Sequence, residues 1–317
     1  MANPNFDTIL STTLNNHLPK LVDNVFTARP LVFFLKEAGQ IRPVGGGAKI
    51  VLPLIHAQNT TAASYSGYDP IATTAQAGLS ASEWNWKQYA ATISINGIEE
   101  AKNSSVEQVI DLLEAKIMQT EETIIEKFDE MFFGGVVGTG LTGNSNKDFN
   151  GLTNLISFHA ANTNVGGIDP TTNAYWASYR RTAAGALTIA GMTTDFNTVT
   201  VGNDKPNVII TTQAMFEKYE ALLQPAQRFT DATSADAGFQ NLTFKGVPVT
   251  YDTYCPAGAM FFLNTKYLRL VGHKDVWFKT TPFVRPENID ARYAQILCYG
   301  ELTVSNRKRQ GSVLGLT

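Results

Sequence analysis

The residues whose pattern comes nearest to a known chemistry are Gly138-Thr139-Gly140-Leu141-Thr142-Gly143, which match G-x-G-x-x-G. Such a loop lets backbone amides approach a pyrophosphate, but only with a strand before it and a helix after it whose N-terminus faces the phosphate. Here a long helical pattern precedes the glycines and a turn-forming stretch, residues 144–150, follows them. The match therefore reads as a loop with positive φ angles. His17, His56, His159 and His273 are dispersed, and none has the i, i+4 spacing or the neighbouring cysteine pair of a local metal site. Cys255 and Cys298 are too few for a disulfide framework and read as small buried apolar side chains. Neither a G-x-S-x-G elbow nor a P-loop lysine occurs. A catalytic carboxylate pair is defined by separation in space, which spacing along the chain does not supply. No cofactor or metal is implied.

The bulk composition sets the elements that would have to position any site. With 317 residues, 44% of them hydrophobic, the chain can bury a sizeable core in one large or two modest domains. A formal charge of -3 argues against a protein that wraps nucleic acid electrostatically, with Arg307-Lys308-Arg309 as the one local basic exception. The N-terminus lacks a basic leader followed by an apolar stretch, and the longest apolar runs fall far short of the roughly 20 residues of a spanning helix. No secretory signal and no membrane partner are expected.

Residues 1–47 read as a partly helical arm, interrupted at Pro30 and Pro43 and ending in a flexible Gly45-Gly46-Gly47 hinge. Residues 49–55 are β-branched and apolar, with Pro53 suiting an edge strand. A second strand is expected at residues 84–95, where Tyr89, Ala91, Ile93 and Ile95 alternate with polar positions. Between them, residues 57–82 hold 17 Ala, Ser, Thr or Gly among 26, a composition that cannot build its own core. If the flanking strands pair, the segment is a long two-stranded arm. An isolated hairpin is marginal in water, so the arm calls for a partner.

The clearest helix follows. After the capping candidates Asn103-Ser104-Ser105, Val106, Ile110, Leu113, Ile117, Thr120, Ile124, Phe128 and Met131 recur at steps of three and four. The pattern predicts a rod of roughly 40 Å with an acidic opposite face. Residues 134–154 read as loop, and residues 195–212 open an α/β region. Strands are expected at 207–211, 246–249, 259–263 and 291–299, with a helix over 213–223.

This order of elements resembles the major capsid protein of tailed bacteriophages, the Hong Kong 97-like family, along essentially the whole chain. Three stretches carry the resemblance. Phe132-Phe133-Gly134 with Gly138-Thr139-Gly140 and Gly151-Leu152-Thr153-Asn154 is similar to the turn that follows that family's spine helix. Leu242-Thr243-Phe244-Lys245-Gly246-Val247-Pro248-Val249 is similar to its L-x-F-K-G-V-P-V segment. Met260-Phe261-Phe262-Leu263-Asn264 with Tyr267-Leu268 completes the match.

The resemblance implies an α+β chain: N-terminal arm 1–47, extended loop 48–98, peripheral domain 99–194 with spine helix 104–133, axial domain 195–274, and 275–317 as a return strand and C-terminal axial segment. It implies a non-enzymatic subunit that assembles in the host cytoplasm, through pentamers and hexamers, into the icosahedral virion shell of a double-stranded DNA phage. Portal and scaffolding proteins are the implied partners, with packaged DNA in weak non-specific contact. No long coiled-coil prelude precedes the arm, so a scaffold is expected on a separate or already removed segment. Candidate contacts on the loop are Tyr65, Tyr68, Asp69, Trp84 and Trp86, because aromatics supply most energy per interface contact. The alternative for Trp84 and Trp86 is packing at the hairpin's own base. Arg307, Lys308 and Arg309 are candidates for DNA, with a solvated tail or an inter-subunit salt bridge as the alternative. Where some of these capsids cross-link through asparagine and glutamate, this chain has Arg292 and Tyr299, with Asn288 and Glu287 in another register. A non-covalent shell is expected. A nanocompartment shell, an enzyme with a dispersed site and a monomeric binding domain remain the rival readings.

Overall fold

The structure is a computed structural model that describes residues 29–102, 112–134, 143–156, 164–223 and 242–317. In chain order these form helix α1 (Pro30–Glu37) and strands β1 (Ile41–Val44), β2 (Ile50–Ile55), β3 (Leu79–Trp84) and β4 (Lys87–Asn96). Helices α2 (Gly97–Lys102), α3 (Leu112–Phe133) and the single-turn α4 (Leu152–Leu155) follow, then β5 (Tyr179–Arg181), α5 (Ile189–Val199), β6 (Val208–Thr211) and α6 (Gln213–Leu222). The remainder is strand: β7 (Leu242–Phe244), β8 (Val247–Tyr251), β9 (Met260–Leu263), β10 (Leu268–His273), β11 (Lys279–Thr280), β12 (Ala291–Val304) and β13 (Gly311–Val313). The architecture is α+β, in two compact units. One takes in Tyr89–Lys127 and Phe278–Cys298, the other Ala28–Gln88, Phe128–Trp277 and Tyr299–Thr317.

The larger unit is organised on a six-stranded sheet of order β5-β13-β9-β6-β8-β7. Its central strands are continuous apolar runs, Val208-Ile209-Ile210 and Met260-Phe261-Phe262-Leu263, because both faces are covered. On one face α5 and α6 contribute Met192, Phe196, Val199, Met215, Phe216 and Tyr219 to a core with Ile209, Val249 and Phe262. On the other, Phe133 lies 6.0 Å from Phe261. Lys245 and Gly246, both at positive φ, form the two-residue turn of the β7–β8 hairpin, the geometry that suits the right-handed twist of strands. That requirement explains the glycine of the Lys245-Gly246-Val247-Pro248-Val249 motif. Helix α5 is capped by Thr188, whose Oγ1 accepts from the Gly191 N–H at 3.1 Å, and buries Met192, Phe196 and Val199.

Within the segment read as a partly helical arm, residues 30–44 form packed structure. Pro30 opens α1 as its first residue, where its missing N–H costs nothing, and Leu31 and Leu35 are fully buried. Strand β1 pairs in parallel with β10 at Ile41↔Leu270 through Val44↔His273, with Pro43 on the sheet edge. The residues before 29 lie outside the described part. In the same unit β10 runs antiparallel to the later half of β12, Leu268↔Val304 through Gly272↔Gly300.

A second correction concerns pairing around the arm. Strand β2 pairs with β3, Ile50↔Trp84 through Ile55↔Leu79, so the partner begins at Leu79 rather than at Trp84. The alternating run Tyr89–Ile95 belongs to β4, which pairs with β12 in the smaller unit. There Ile93 and Ile95 of β4, Ile124 of α3, and Ala294 and Ile296 of β12 are buried. The helical phase is as the spacing predicts, with Ile124, Phe128 and Met131 buried, while Val106 and Ile110 lie outside the described residues. Glu99 accepts from Lys116 at 2.6 Å, which holds its carboxyl below the usual range. Of the G-x-G-x-x-G run only Gly143 is described; Asn144, Ser145 and Asn146 after it all have positive φ, a left-handed turn rather than the start of a helix.

Candidate interaction site

The β2–β3 hairpin presents two unlike faces. On the inner face Ile50, Leu54, Ser82 and Trp84 are buried; on the outer face Val51, Ile55 and Leu79 are exposed, Ile55 at 82% and Leu79 at 79%. The inner face is held by its own chain. The Glu83 N–H donates to the Gly166 carbonyl at 2.9 Å, and Trp84 Nε1–H donates to Ser82 Oγ at 3.2 Å. Gly166 sits at φ +63, and a Cβ there would come within 2.9 Å of the Trp84 ring. Only glycine satisfies both demands. Behind it, Trp176 Nε1–H donates to the Val165 carbonyl at 2.8 Å, and His56 stacks on Tyr175 with ring centroids 4.5 Å apart.

Beyond the strands, the tip has no interior. Between Ala57 and Ala77 every residue is exposed except the half-buried Thr61. Polar side chains organise the backbone instead. Thr60 donates to Gln76 Oε1 through both its N–H (3.1 Å) and its hydroxyl (3.0 Å), closing the neck of the loop. Asp69 Oδ2 accepts from the Ser66 N–H at 2.9 Å, and the Asp69 N–H donates back to the Ser66 carbonyl at 3.0 Å. This turn holds Tyr65 and Tyr68 outward, Tyr65 at 66% exposure and Tyr68 fully exposed, with Ile71 also uncovered. The loop thus carries large apolar groups uncovered by any core of its own.

The candidate residues therefore divide. Tyr65 and Tyr68 stand at the exposed tip, and Asp69 shapes the turn that presents them. Trp84 is buried in the hairpin base, and Trp86 donates its Nε1–H to the Gly47 carbonyl at 2.8 Å and lies edge-on to His273. Trp84 is thus covered by its own chain, while Trp86 stays half-buried. The basic triplet also separates. Arg307 is fully buried beneath Trp176, its Nε–H donating to the Leu155 carbonyl at 2.7 Å, and burial pulls its pKa down to about 10. Arg309 pairs with Asp204 at 3.3 Å, whereas Lys308 is exposed. Arg292 pairs with Glu100 at 3.2 Å.

Three buried acids escaped sequence reading because nothing in their local pattern marks them. Glu301 is fully buried on β12; burial pushes its pKa up to about 8, opposed by the N–H groups of Asn150 (2.6 Å) and Leu302 (2.9 Å) and by the charge of Lys87. Burial likewise raises Asp252 to about 6, in a pair with buried Asp129. Both cysteines are free and buried, with thiol pKa values raised by desolvation, so neither is a poised nucleophile. Among the described residues no cluster of three or more metal-ligating side chains occurs, and no helix is long and apolar enough to cross a membrane.

No protein-family profile and no curated protein matches this chain. Solved structures do. It is similar to a chain of the cyanophage A-1(L) capsid asymmetric unit, with a TM-score of 0.68 at 17% identity over 97% of this chain and 98% of that one. A chain of the native GTA particle capsid aligns with a TM-score of 0.64 at 9% identity, covering 96% of each. The SrpI encapsulin of Synechococcus elongatus PCC 7942 aligns with a TM-score of 0.61 at 12% identity, over 100% of this chain and 96% of that one. The chain thus has the phage capsid-protein fold, over nearly its whole length.

Proposed function

We propose that this chain is a shell subunit, a major capsid protein whose copies assemble through pentamers and hexamers into an icosahedral container for a double-stranded DNA phage genome. The observation that carries the reading is the hairpin arm: its base is anchored on its own chain, and its tip presents Tyr65, Tyr68 and Ile71 with nothing beneath them. A neighbouring copy would supply the missing cover, and closed symmetry would repeat each modest contact around the shell. Arg307 and Arg309 are engaged within the subunit, which leaves Lys308 as the triplet's candidate for weak contact with DNA. Virion location, assembly in the host cytoplasm, and portal and scaffolding partners follow from the same reading. The work of such a subunit is geometric, with no chemical step.

Replacing Gln58–Ala77 by a two-residue turn tests the arm, because His56 N–H and Gly78 O already pair across its neck at 2.9 Å. The shortened subunit should fold with unchanged thermal stability yet form no closed particles by electron microscopy. Normal particles from that variant would remove the arm from the proposal. A second reading, a nanocompartment that encloses protein, is favoured by the full-length match to the encapsulin. Nuclease-protected DNA in purified particles supports the phage reading; protein cargo without DNA supports the other.

A further inference from the structure

Three loops meet at one end of the six-stranded sheet. Residues 203–207 lead into β6, residues 264–267 follow β9 and residues 305–310 lead into β13, and the pairings Val208↔Leu263 and Gly311↔Phe262 set those strand ends side by side. Side chains tie the loops together. Asn264 Nδ2–H donates to Asp204 Oδ1 at 2.9 Å and to the Lys205 carbonyl at 3.0 Å. Asn207 donates to Thr265 Oγ1 at 2.6 Å and accepts from the Thr265 N–H at 2.9 Å. Gln310 accepts from the Asn264 N–H at 2.9 Å and donates to the Asn264 carbonyl at 3.0 Å, and the Ser305 N–H donates to the Tyr267 carbonyl at 2.9 Å.

The resulting platform is basic in a chain whose formal net charge is -3. Lys205, Lys266, Arg307, Lys308 and Arg309 stand on it against one acid, Asp204. That acid is already engaged, accepting from Asn264 and from the Tyr267 hydroxyl at 2.7 Å and pairing with Arg309 at 3.3 Å. Arg307 is buried, whereas Lys205, Lys266 and Lys308 are exposed, and among the described residues none of these lysines has an acidic partner.

We propose that this platform is a contact surface for the phosphate backbone of duplex DNA, with Lys205, Lys266 and Lys308 as its three cations. Ammonium groups on flexible stems meet phosphates as point charges, and contacts of that kind read no sequence. A protein partner fits less well. Interfaces between proteins are depleted in lysine and centre on apolar side chains, and these loops expose no large apolar group. The inference rests on the DNA-container reading and extends its weak DNA contact from Lys308 to three loops.

The test is fluorescence anisotropy of short labelled duplexes of two unrelated sequences, titrated with unassembled, full-length subunits over a series of salt concentrations. Both sequences should bind alike, with log affinity falling against log salt at a slope of about -2.7, or about -0.9 for each of three phosphates. Each of Lys205→Gln, Lys266→Gln and Lys308→Gln should reduce that slope by about 1. The triple variant should lose it, along with about tenfold or more in affinity at low salt, at an unchanged unfolding temperature. Lys218→Gln, exposed on α6, should alter neither quantity. A wild-type slope in the triple variant, or no binding of either duplex at the lowest salt, overturns the proposal. So does a triple variant that binds DNA normally but no longer forms particles, because the lysines then serve contact between copies. If wild-type subunits form no closed particles while the slopes behave as expected, the shell reading falls and the DNA contact stands; the reverse pair of results removes the contact and leaves the shell.

Discussion

Strand β2 of the β2–β3 hairpin is as apolar as the central strands of the six-stranded sheet, yet those strands are covered on both faces and β2 is not. Strands β6 and β9 are buried along their whole length because helices and neighbouring elements of the same unit cover both faces. Strand β2 alternates, burying Ile50 and Leu54 while exposing Val51 and Ile55. The difference lies in what the chain supplies as cover. The sheet stabilises the fold through burial, whereas the hairpin's outer face and tip leave apolar side chains uncovered.

That contrast can be broken most forcefully at Phe262, fully buried between sheet and α5. Phe262→Ala should lower subunit stability by about 3–5 kcal/mol, read by urea unfolding, and assembly should fail because little folded subunit remains. A cost under about 1 kcal/mol would show that the sheet is not the centre of the fold.

At the hairpin base, Gly166→Ala places a Cβ at positive φ and against Trp84. An expected cost of about 1–2 kcal/mol, accompanied by a change in tryptophan fluorescence, would mark the base as part of the folded unit. Unchanged fluorescence would place Trp84 elsewhere.

Glu301 sharpens the comparison from the other side, because it has the burial of the sheet with a polarity that such burial excludes. Its folded pKa of about 8 lies above the ordinary 4.5, so its contribution is full below about pH 4.5 and is lost as pH rises through about 8. Glu301→Gln keeps an oxygen for the Asn150 and Leu302 amides and should flatten that fall, with a higher midpoint than the wild type above neutral pH. A steeper fall in the variant would contradict this account.

The smallest effect on the subunit is expected at the tip. Tyr65→Ala with Tyr68→Ala should change subunit unfolding by less than about 0.5 kcal/mol, because neither ring is covered, while lowering the disassembly temperature of particles. Loss of subunit stability instead would mean that the tip folds back on its own chain.

What was legible followed from periodicity and from turns. The spacing through Ile124, Phe128 and Met131 gave the buried face of α3, and the apolar runs at 207–211 and 259–263 gave strands, since apolar residues at these periods must meet a core. Residues 57–82 were readable as coreless from composition alone, although β3 begins inside that segment at Leu79. Trp84 was open to two readings because an aromatic on a strand suits an interface and a core equally; the approach of Gly166, 82 residues later in the chain, is what makes it a core residue. Arg307 was misplaced for a related reason. A basic triplet looks solvated in one dimension, and only the fold puts Trp176 above Arg307 and the Leu155 carbonyl at its Nε.

By itself, then, the order of residues determined the helical and strand periods, the coreless arm and the absence of local catalytic motifs, because these depend on near neighbours. Tertiary structure alone decided that β4 pairs with β12 rather than with β2, that burial pushes the Glu301 pKa up to about 8, and that the tyrosines of the arm are left uncovered. Each of those rests on groups distant in the chain being brought together or kept apart, and burial and charge interaction depend on that separation in space.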